Sequence, residues 1–192
     1  GRLLFLVGDV SGKGVPAALF MAVTKTLVKG IAEQEATPSA ILDRVNRELL
    51  KDNEAMLFVT MFLGILDHTT GELAYSNAGH NPPVLVRRGG ADWLALPKGL
   101  FLGVMEEASY RDASVTLAPG DRLLVYTDGV TEAMNEAGEL YSSERLLEVA
   151  PGLAGLEPKA ACEAVAASVR EFAGDAPQAD DITLLALLYR GA

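Results

Sequence analysis

The chain is poor in cysteine, in basic clusters and in long apolar runs, and each absence excludes a class of protein. Cys162 is the single cysteine, so it has no partner for an internal disulfide, and we expect a buried structural thiol in a reducing cytoplasm. The formal net charge is −10, and no cluster of Lys and Arg carries interleaved aromatic residues. Nucleic acid and anionic membranes are therefore poor candidate partners. Uninterrupted apolar runs such as those at 3–7 and 184–188 are too short to span a bilayer.

The composition is that of a globular protein with a sizeable core. Hydrophobic residues make up 49% and charged residues 22% of the 192 residues, which predicts a single domain over 1–192. No signal peptide is predicted, because the chain opens directly on a strand-like run. The first residue is not Met, which suggests that the chain is an excised fragment of a longer protein.

Helical patterns stand at both ends of the chain, and hairpin patterns stand between them. A strand over 2–7 is followed by helices over 17–34 and from Pro38, which Thr37 caps. Further helices are predicted over 143–149 and 158–172. Strands are predicted over 58–66, 72–77, 84–88, 92–94, 110–117, 122–126 and 182–189. Because short turns such as Gly89-Gly90 join the central strands, the sheets should be antiparallel and the fold class α+β.

Three aspartates share one design, because each lies where an apolar run meets its edge. Asp9 follows the segment 3–8, Asp128 follows the segment 123–127, and Asp180, with Asp181 beside it, precedes the run that starts at Ile182. Carboxylates resist full burial, so strands lying side by side would gather these groups at a rim, where their repulsion requires a cation or shared protons. All-oxygen ligation suits Mg²⁺ or Mn²⁺ better than zinc. Asp is also a common turn and cap residue, and the spacing alone does not decide between the two interpretations.

Other catalytic patterns fit less well. The segment 8–14 is one residue short of a P-loop, and hairpins rather than βαβ units follow the glycines that resemble a dinucleotide motif. Ser11 lacks the glycine of a nucleophile elbow. His68 is predicted to be solvated in a turn. His80, in a Pro-stopped loop, is interpreted as a structural or positioning residue rather than a catalytic one.

Four motifs in order resemble the metal-dependent protein phosphatase superfamily (PPM, type 2C-like), in its bacterial SpoIIE-like branch. They are Gly8-Asp9-Val10-Ser11-Gly12-Lys13-Gly14, the loop 77–83, Thr127-Asp128-Gly129-Val130-Thr131-Glu132, and Asp180-Asp181-Ile182-Thr183. The resemblance covers essentially the whole chain. It implies an antiparallel β-sandwich flanked by helices on both faces, a four-layer αββα arrangement.

The resemblance also implies the metal ligands. Asp9 would bridge two Mn²⁺ or Mg²⁺ ions, the Val10 carbonyl would bind one ion, and Asp128 and Asp180 would complete the shell of the other. Asp9, Asp128 and Asp180 are accordingly the expected catalytic residues, with Gly129 and Asp181 in supporting roles. The family has a further Gly-Gly-Asp strand upstream of residue 2, so this chain is expected to be truncated at its N-terminus, with the second ion held weakly or not at all.

The implied function is hydrolysis of phosphoserine or phosphothreonine by a metal-bridging hydroxide. The implied substrate is a partner-switching regulator such as an anti-sigma-factor antagonist, and the implied setting is a cytoplasmic output domain behind a sensory domain. A homodimer is one expected response to the missing edge strand. By analogy, the first two helices would act as a switch that orders the metal site.

Two other functions remain open from the sequence. One is a non-catalytic or fragment-inactive module of the same fold that binds a partner protein through the helices of 17–50. Retention of the aspartates weighs against it. The other is a nucleotide-binding protein, which tight binding of a nucleotide to residues 8–14 would favour.

Overall fold

The computed structural model describes residues 1–51 and 53–192 and contains two antiparallel sheets with four α-helices. The strands are β1 (Arg2–Val10), β2 (Val59–Asp67), β3 (Glu72–Ala78), β4 (Val84–Arg87), β5 (Gly90–Trp93), β6 (Ala113–Thr116), β7 (Arg122–Tyr126) and β8 (Leu184–Leu188). The helices are α1 (Val15–Ala32), α2 (Pro38–Leu50), α3 (Ser142–Val149) and α4 (Pro158–Ala173), with a 3-10 turn at Ala150–Leu153. The α+β class and the antiparallel pairing predicted from the sequence are confirmed.

The first of two compact units contains the sheet β1-β2-β3-β6 together with α1 and α2. It comprises Gly1–His68, Glu72–His80 and Leu96–Thr116. The central strand β2 is buried over most of its length, and α2 covers the sheet with an apolar face at helical spacing. That face consists of Ile41, Leu42, Val45 and Leu49. The Thr37 side chain accepts a hydrogen bond from the Ala40 N–H at 3.3 Å, as expected for a capping residue.

The second unit contains the sheet β5-β4-β7-β8 together with α3, the 3-10 turn and α4. It comprises Thr69–Gly71, Asn81–Ala95 and Leu117–Ala192. All five residues of β7 are buried, so this strand forms the centre of the unit. Tyr141 lies in the core beside α4, where its hydroxyl is 2.8 Å from Ser168 Oγ and its ring meets Phe172 edge-on.

Several strand boundaries differ from the predictions, because the backbone pairing of a strand does not begin and end where its apolar run does. β1 continues through Gly8 and Asp9 to Val10, since its ladder with β2 continues to Val59. The hairpin turn lies at Arg88-Gly89, and Gly90 already pairs with Arg87. β6 is confined to Ala113–Thr116, because only these residues pair with β3.

Helix α1 is long and apolar, yet only partly covered. By length and composition alone it could cross a membrane, a criterion that core helices of soluble proteins and signal sequences also meet. A search for long uninterrupted apolar runs misses it, because two threonines, two lysines and a glycine interrupt its apolar residues. Val15, Leu19 and Val23 are 72%, 62% and 51% exposed and form one stripe at four-residue spacing.

Candidate active site

Asp128 lies just after β7, and the residue between them fixes its turn to the C-terminal strand. Thr127 is buried, and its hydroxyl donates to the Asp181 carbonyl at 3.0 Å while accepting from the Thr183 N–H at 2.9 Å. The Thr127 N–H also donates to the Thr183 carbonyl at 3.1 Å. These three bonds continue the β7–β8 pairing beyond the strands. They hold the segments of the two predicted motifs together.

The turn after Thr127 is tight and well satisfied along its backbone. The Asp128 carbonyl accepts from the Glu132 N–H at 2.8 Å and from the Thr131 hydroxyl at 3.2 Å. Gly129 passes so close to the second motif that a Cβ there would lie 2.4 Å from the Asp181 carbonyl oxygen. Only glycine permits this approach without a shift of backbone. The second unit therefore brings Asp128, Gly129, Asp180 and Asp181 together, as expected for carboxylates at the edges of adjacent strands.

The carboxylates of this cluster are in different environments. Asp180 and Asp181 are exposed, and Asp180 Oδ1 accepts from the Asp181 N–H at 2.9 Å. Asp128 is half-buried, and its Oδ1 is inaccessible to solvent with no hydrogen-bond partner among residues 1–51 and 53–192. A buried carboxylate oxygen is almost always satisfied, so this atom has the environment of a cation ligand. The donor set is entirely oxygen and fits Mg²⁺ or Mn²⁺.

Asp9 and Val10 lie in the first unit as the last two residues of β1. Asp9 pairs with Thr60, and Val10 with Val59, across the ladder to β2. Residues directly opposite in a sheet present their side chains to the same face, so Asp9 and Thr60 are neighbours there. The Thr60 hydroxyl is 2.9 Å from Nδ1 of His80, a residue only 4% exposed. His80 is thus buried and held in place, in agreement with a positioning role.

The loop after Asp9 is fixed at both ends. The Ser11 N–H donates to the Phe58 carbonyl and the Phe58 N–H donates to the Ser11 hydroxyl, both at 2.9 Å. Gly12 and Gly14 both have φ of 81°, a backbone region that disfavours other residues. The Gly14 carbonyl then begins α1 by accepting from the Ala18 N–H at 3.0 Å. The glycines therefore serve the turn from strand to helix.

No group of three His, Cys, Asp or Glu side chains in the described part of the chain is close enough to hold a metal ion. The structural evidence for metal binding is therefore the Asp128 environment and the chemistry of the donors. Thr127 and Thr60 are the two site-forming residues that the sequence motifs left without a role. A threonine at a strand end carries no signal of its own, because the partners of both hydroxyls are distant in sequence.

Replacing Thr127 by valine should lower the stability of the chain, because it removes two hydrogen bonds inside a buried site. We expect a loss of about 1–3 kcal/mol in the free energy of unfolding. Urea denaturation checks this through the transition midpoint at unchanged slope. Thr127→Ser keeps the hydroxyl and should recover most of the loss. A valine variant as stable as the wild type would contradict the role of the hydroxyl.

Among known protein families, residues 1–190 match the one described as stage II sporulation protein E (SpoIIE). The phosphoserine phosphatase RsbU of Bacillus subtilis (strain 168) is 33% identical over 135 residues, 70% of this chain and 40% of RsbU. The SiaA-PP2C domain of Pseudomonas aeruginosa superposes with a TM-score of 0.85 at 27% identity, covering 97% of this chain and 75% of that structure. The chain thus spans less than half of RsbU.

A third similar structure bears on the metal. RsbX in complex with magnesium superposes with a TM-score of 0.69 at 17% identity, over 96% of this chain and 80% of that one. At this identity the similarity concerns the fold alone. A protein with the same fold has therefore been solved with one of the ions that suits the oxygen donors described above.

Proposed function

The chain belongs to the SpoIIE family, and from this premise we propose that it is a metal-dependent protein phosphatase. Its reaction is the hydrolysis of phosphoserine or phosphothreonine in a protein. The observation that carries the proposal is the buried, unpartnered Oδ1 of Asp128, on a turn that Thr127 bonds to the backbone of Asp181 and Thr183. The similarity to RsbU, a named phosphoserine phosphatase, supports the same reaction.

We propose Asp9, the Val10 carbonyl, Asp128 and Asp180 as metal ligands, with Mn²⁺ or Mg²⁺ as the metal. Ions of this kind, when bound, act as Lewis acids toward phosphoryl oxygens and lower the pKa of coordinated water. Asp9 would hold such an ion through its carboxylate and would supply negative charge to the site. Gly129 contributes space, because its missing side chain lets the Asp180-Asp181 backbone approach Asp128.

Other residues hold the proposed ligands in position or keep the surroundings of the site uncharged. Thr127 fixes the backbone of Asp181, and the Thr60–His80 contact orders the face beside Asp9. Burial raises the pKa of Tyr126 to about 12, so its hydroxyl stays protonated and adds no charge next to the Asp128 turn.

A covalent intermediate with the enzyme is not part of this proposal, because direct attack by water needs none. Burial raises the pKa of the Cys162 thiol, which is therefore a poor nucleophile. The Ser11 hydroxyl already accepts the Phe58 N–H and serves the loop after Asp9. Neither side chain is needed for the hydrolysis.

The substrate we propose is a phosphorylated anti-sigma-factor antagonist or a similar partner-switching regulator. The similarity to RsbU supports a phosphoserine protein as substrate. An upstream sensory domain and a cytoplasmic location complete the proposal, and a homodimer is its expected assembly. The size of the full-length protein in solution tests the dimer, and the domain content of its sequence tests the sensory domain.

A second candidate is a non-catalytic module that binds a partner protein through α1 and α2. The exposed stripe of Val15, Leu19 and Val23 favours it, because exposed apolar stripes often mark interaction surfaces. The two candidates differ in one measurement. A module without catalysis would bind its partner but release no phosphate in the presence of any divalent metal.

The test is phosphate release by the full-length protein from a phosphoserine peptide and from para-nitrophenyl phosphate. We expect release from both with added Mn²⁺ or Mg²⁺ and none with EDTA, and readdition of metal should restore it. Calcium is the control ion. We expect little release with it, because its flexible coordination geometry supports in-line attack on phosphorus poorly. Metal-independent release, or none with any ion, would contradict the proposed function.

A further inference from the structure

A groove of about 530 Å³ lies in the second unit between residues 134–136 and 175–179. One wall belongs to the segment that follows the Asp128 turn, and the other ends at Ala179, which is bonded to Asp180. The lining therefore includes the residue before Asp180 and residues six to eight positions after Asp128, two of the proposed metal ligands. Its volume is within the range of about 300–1,000 Å³ that ligand-binding clefts usually have.

The first wall is a small hairpin that a set of hydrogen bonds holds in shape. Met134 and Leu140 form an isolated β-bridge, and the Tyr141 N–H donates to the Ala133 carbonyl at 2.8 Å. Asn135 Oδ1 accepts from the N–H groups of residues 137 and 139 at 3.0 and 2.9 Å. A wall that is already ordered loses little entropy when a ligand binds.

The second wall is the loop between α4 and β8. The Ala176 N–H donates to the Ala173 carbonyl at 3.1 Å, which turns the chain away from the end of α4. Gln178 Nε2 donates to the Asp180 carbonyl at 2.8 Å and so ties this wall to the Asp180 backbone. Anything bound in the groove would therefore lie against the segment that leads into Asp180.

The groove combines apolar surface with negative charge. Met134 is 44% exposed, and Pro177 adds further apolar surface. Glu136 and Asp175 are exposed on opposite walls, and neither forms an ion pair within residues 1–51 and 53–192. The sequence contains no Lys or Arg over 126–142 or over 171–184. The uncompensated charge on both sides is therefore negative.

We propose that this groove binds the polypeptide next to the phosphoserine of the substrate, and that it selects a Lys or Arg there. The inference rests on the proposed function. A phosphate group approaching carboxylates is repelled, and a basic residue beside it would offset that repulsion while pairing with Glu136 and Asp175. Apolar stems of Lys and Arg also suit the surface of Met134 and Pro177. A second copy of this chain is disfavoured, because its net charge is −10.

The test uses three synthetic phosphoserine peptides. They differ only in the two residues that flank the phosphoserine, one on each side, which are both Lys, both Ala or both Glu. Metal-dependent kcat/KM is measured with the full-length protein at low ionic strength. We expect the Lys peptide to exceed the Glu peptide by about tenfold, a ratio consistent with two exposed charge pairs. The double variant Glu136→Lys with Asp175→Lys should invert this order. The neutral pair Glu136→Gln with Asp175→Asn should abolish it.

Two controls keep this inference separate from the proposed function. Turnover of para-nitrophenyl phosphate, which has no flanking peptide, should change less than about twofold in both groove variants. Glu148→Lys with Glu163→Lys makes the same charge change on the exposed faces of α3 and α4 and should leave the peptide order intact. If the groove variants keep the wild-type order of kcat/KM among the three peptides while aryl phosphate turnover is intact, the proposed role of the groove is overturned. Absent aryl phosphate turnover in the wild type would overturn the proposed function.

Discussion

Asp9→Asn should reduce metal-dependent phosphate release by at least about a hundredfold. The amide keeps the size of the side chain but loses the negative charge that would hold a cation in the proposed site. Asp9 is half-buried at the end of β1, opposite Thr60, so the isosteric change leaves its surroundings in place while removing the charge. Isothermal titration with Mn²⁺ should also detect weaker binding, which separates a loss of metal from a loss of substrate affinity.

The control for Asp9 is the same substitution at an exposed carboxylate. Asp92 accepts a hydrogen bond from the Trp93 N–H at 2.8 Å, a bond that asparagine can also accept. Asp92→Asn should therefore keep wild-type turnover. Urea midpoints of both variants should remain close to the wild type, because an isosteric change at a strand end leaves packing intact. Wild-type turnover by Asp9→Asn would refute the proposed mechanism.

Gly129→Ala should have the second-largest effect, since the substitution forces backbone to move beside two proposed ligands. The added Cβ would lie 2.4 Å from the Asp181 carbonyl oxygen and 3.2 Å from that of Asp180. Neither contact can be relieved by a flexible side chain. Misplacement of catalytic groups by about 1 Å can cost about a hundredfold in rate, and we expect a loss of that order. The free energy of unfolding should fall by about 1–3 kcal/mol.

A matched glycine in the same unit separates strain at the site from the general effect of a methyl group. A Cβ added at Gly152 would have nothing within 4 Å, so Gly152→Ala should leave turnover unchanged and alter stability by less than about 0.5 kcal/mol. The decisive comparison is the concentration of Mn²⁺ required for half-maximal activity. Gly129→Ala should raise it, and an unchanged value with full turnover would show that the close approach is irrelevant.

The sequence could predict the fold class because its strands and helices differ in hydrophobic period. β2, β3 and β7 are apolar runs bounded by turn residues, and they lie within one or two residues of the predicted positions. β1 extends further than its apolar run, since backbone pairing with Val59 and Thr60 does not depend on side-chain apolarity. Strand ends near polar residues are therefore where pattern reasoning is weakest.

The sequence could predict which residues form the candidate site, but not the hydrogen bonds that hold them together. Asp128 and Asp180 are visible as strand-edge carboxylates, whereas the Thr127 hydroxyl joins segments that lie far apart in the sequence. The pattern of hydrophobic residues could not predict the position of that hydroxyl. Its partners are backbone groups about 55 residues away in the sequence, and only the folded sheet brings them together.

The hairpin that forms one wall of the groove was also missed, because it carries no alternating apolar pattern. Its signal is local: Asn135 accepts bonds from the backbone ahead of it, and Gly138 has φ of 79°. An Asn followed three residues later by Gly is a turn signature that could have revealed it.

The Thr127 contacts also have a consequence for biosynthesis. β8 is translated after every other strand, and Asp180, Asp181 and Thr183 come immediately before it. Until those residues have left the ribosome, the Asp128 turn lacks the partners that fix it, although β7 can already pair with β4. A nascent chain would therefore pair most of its strands before the proposed metal site could form.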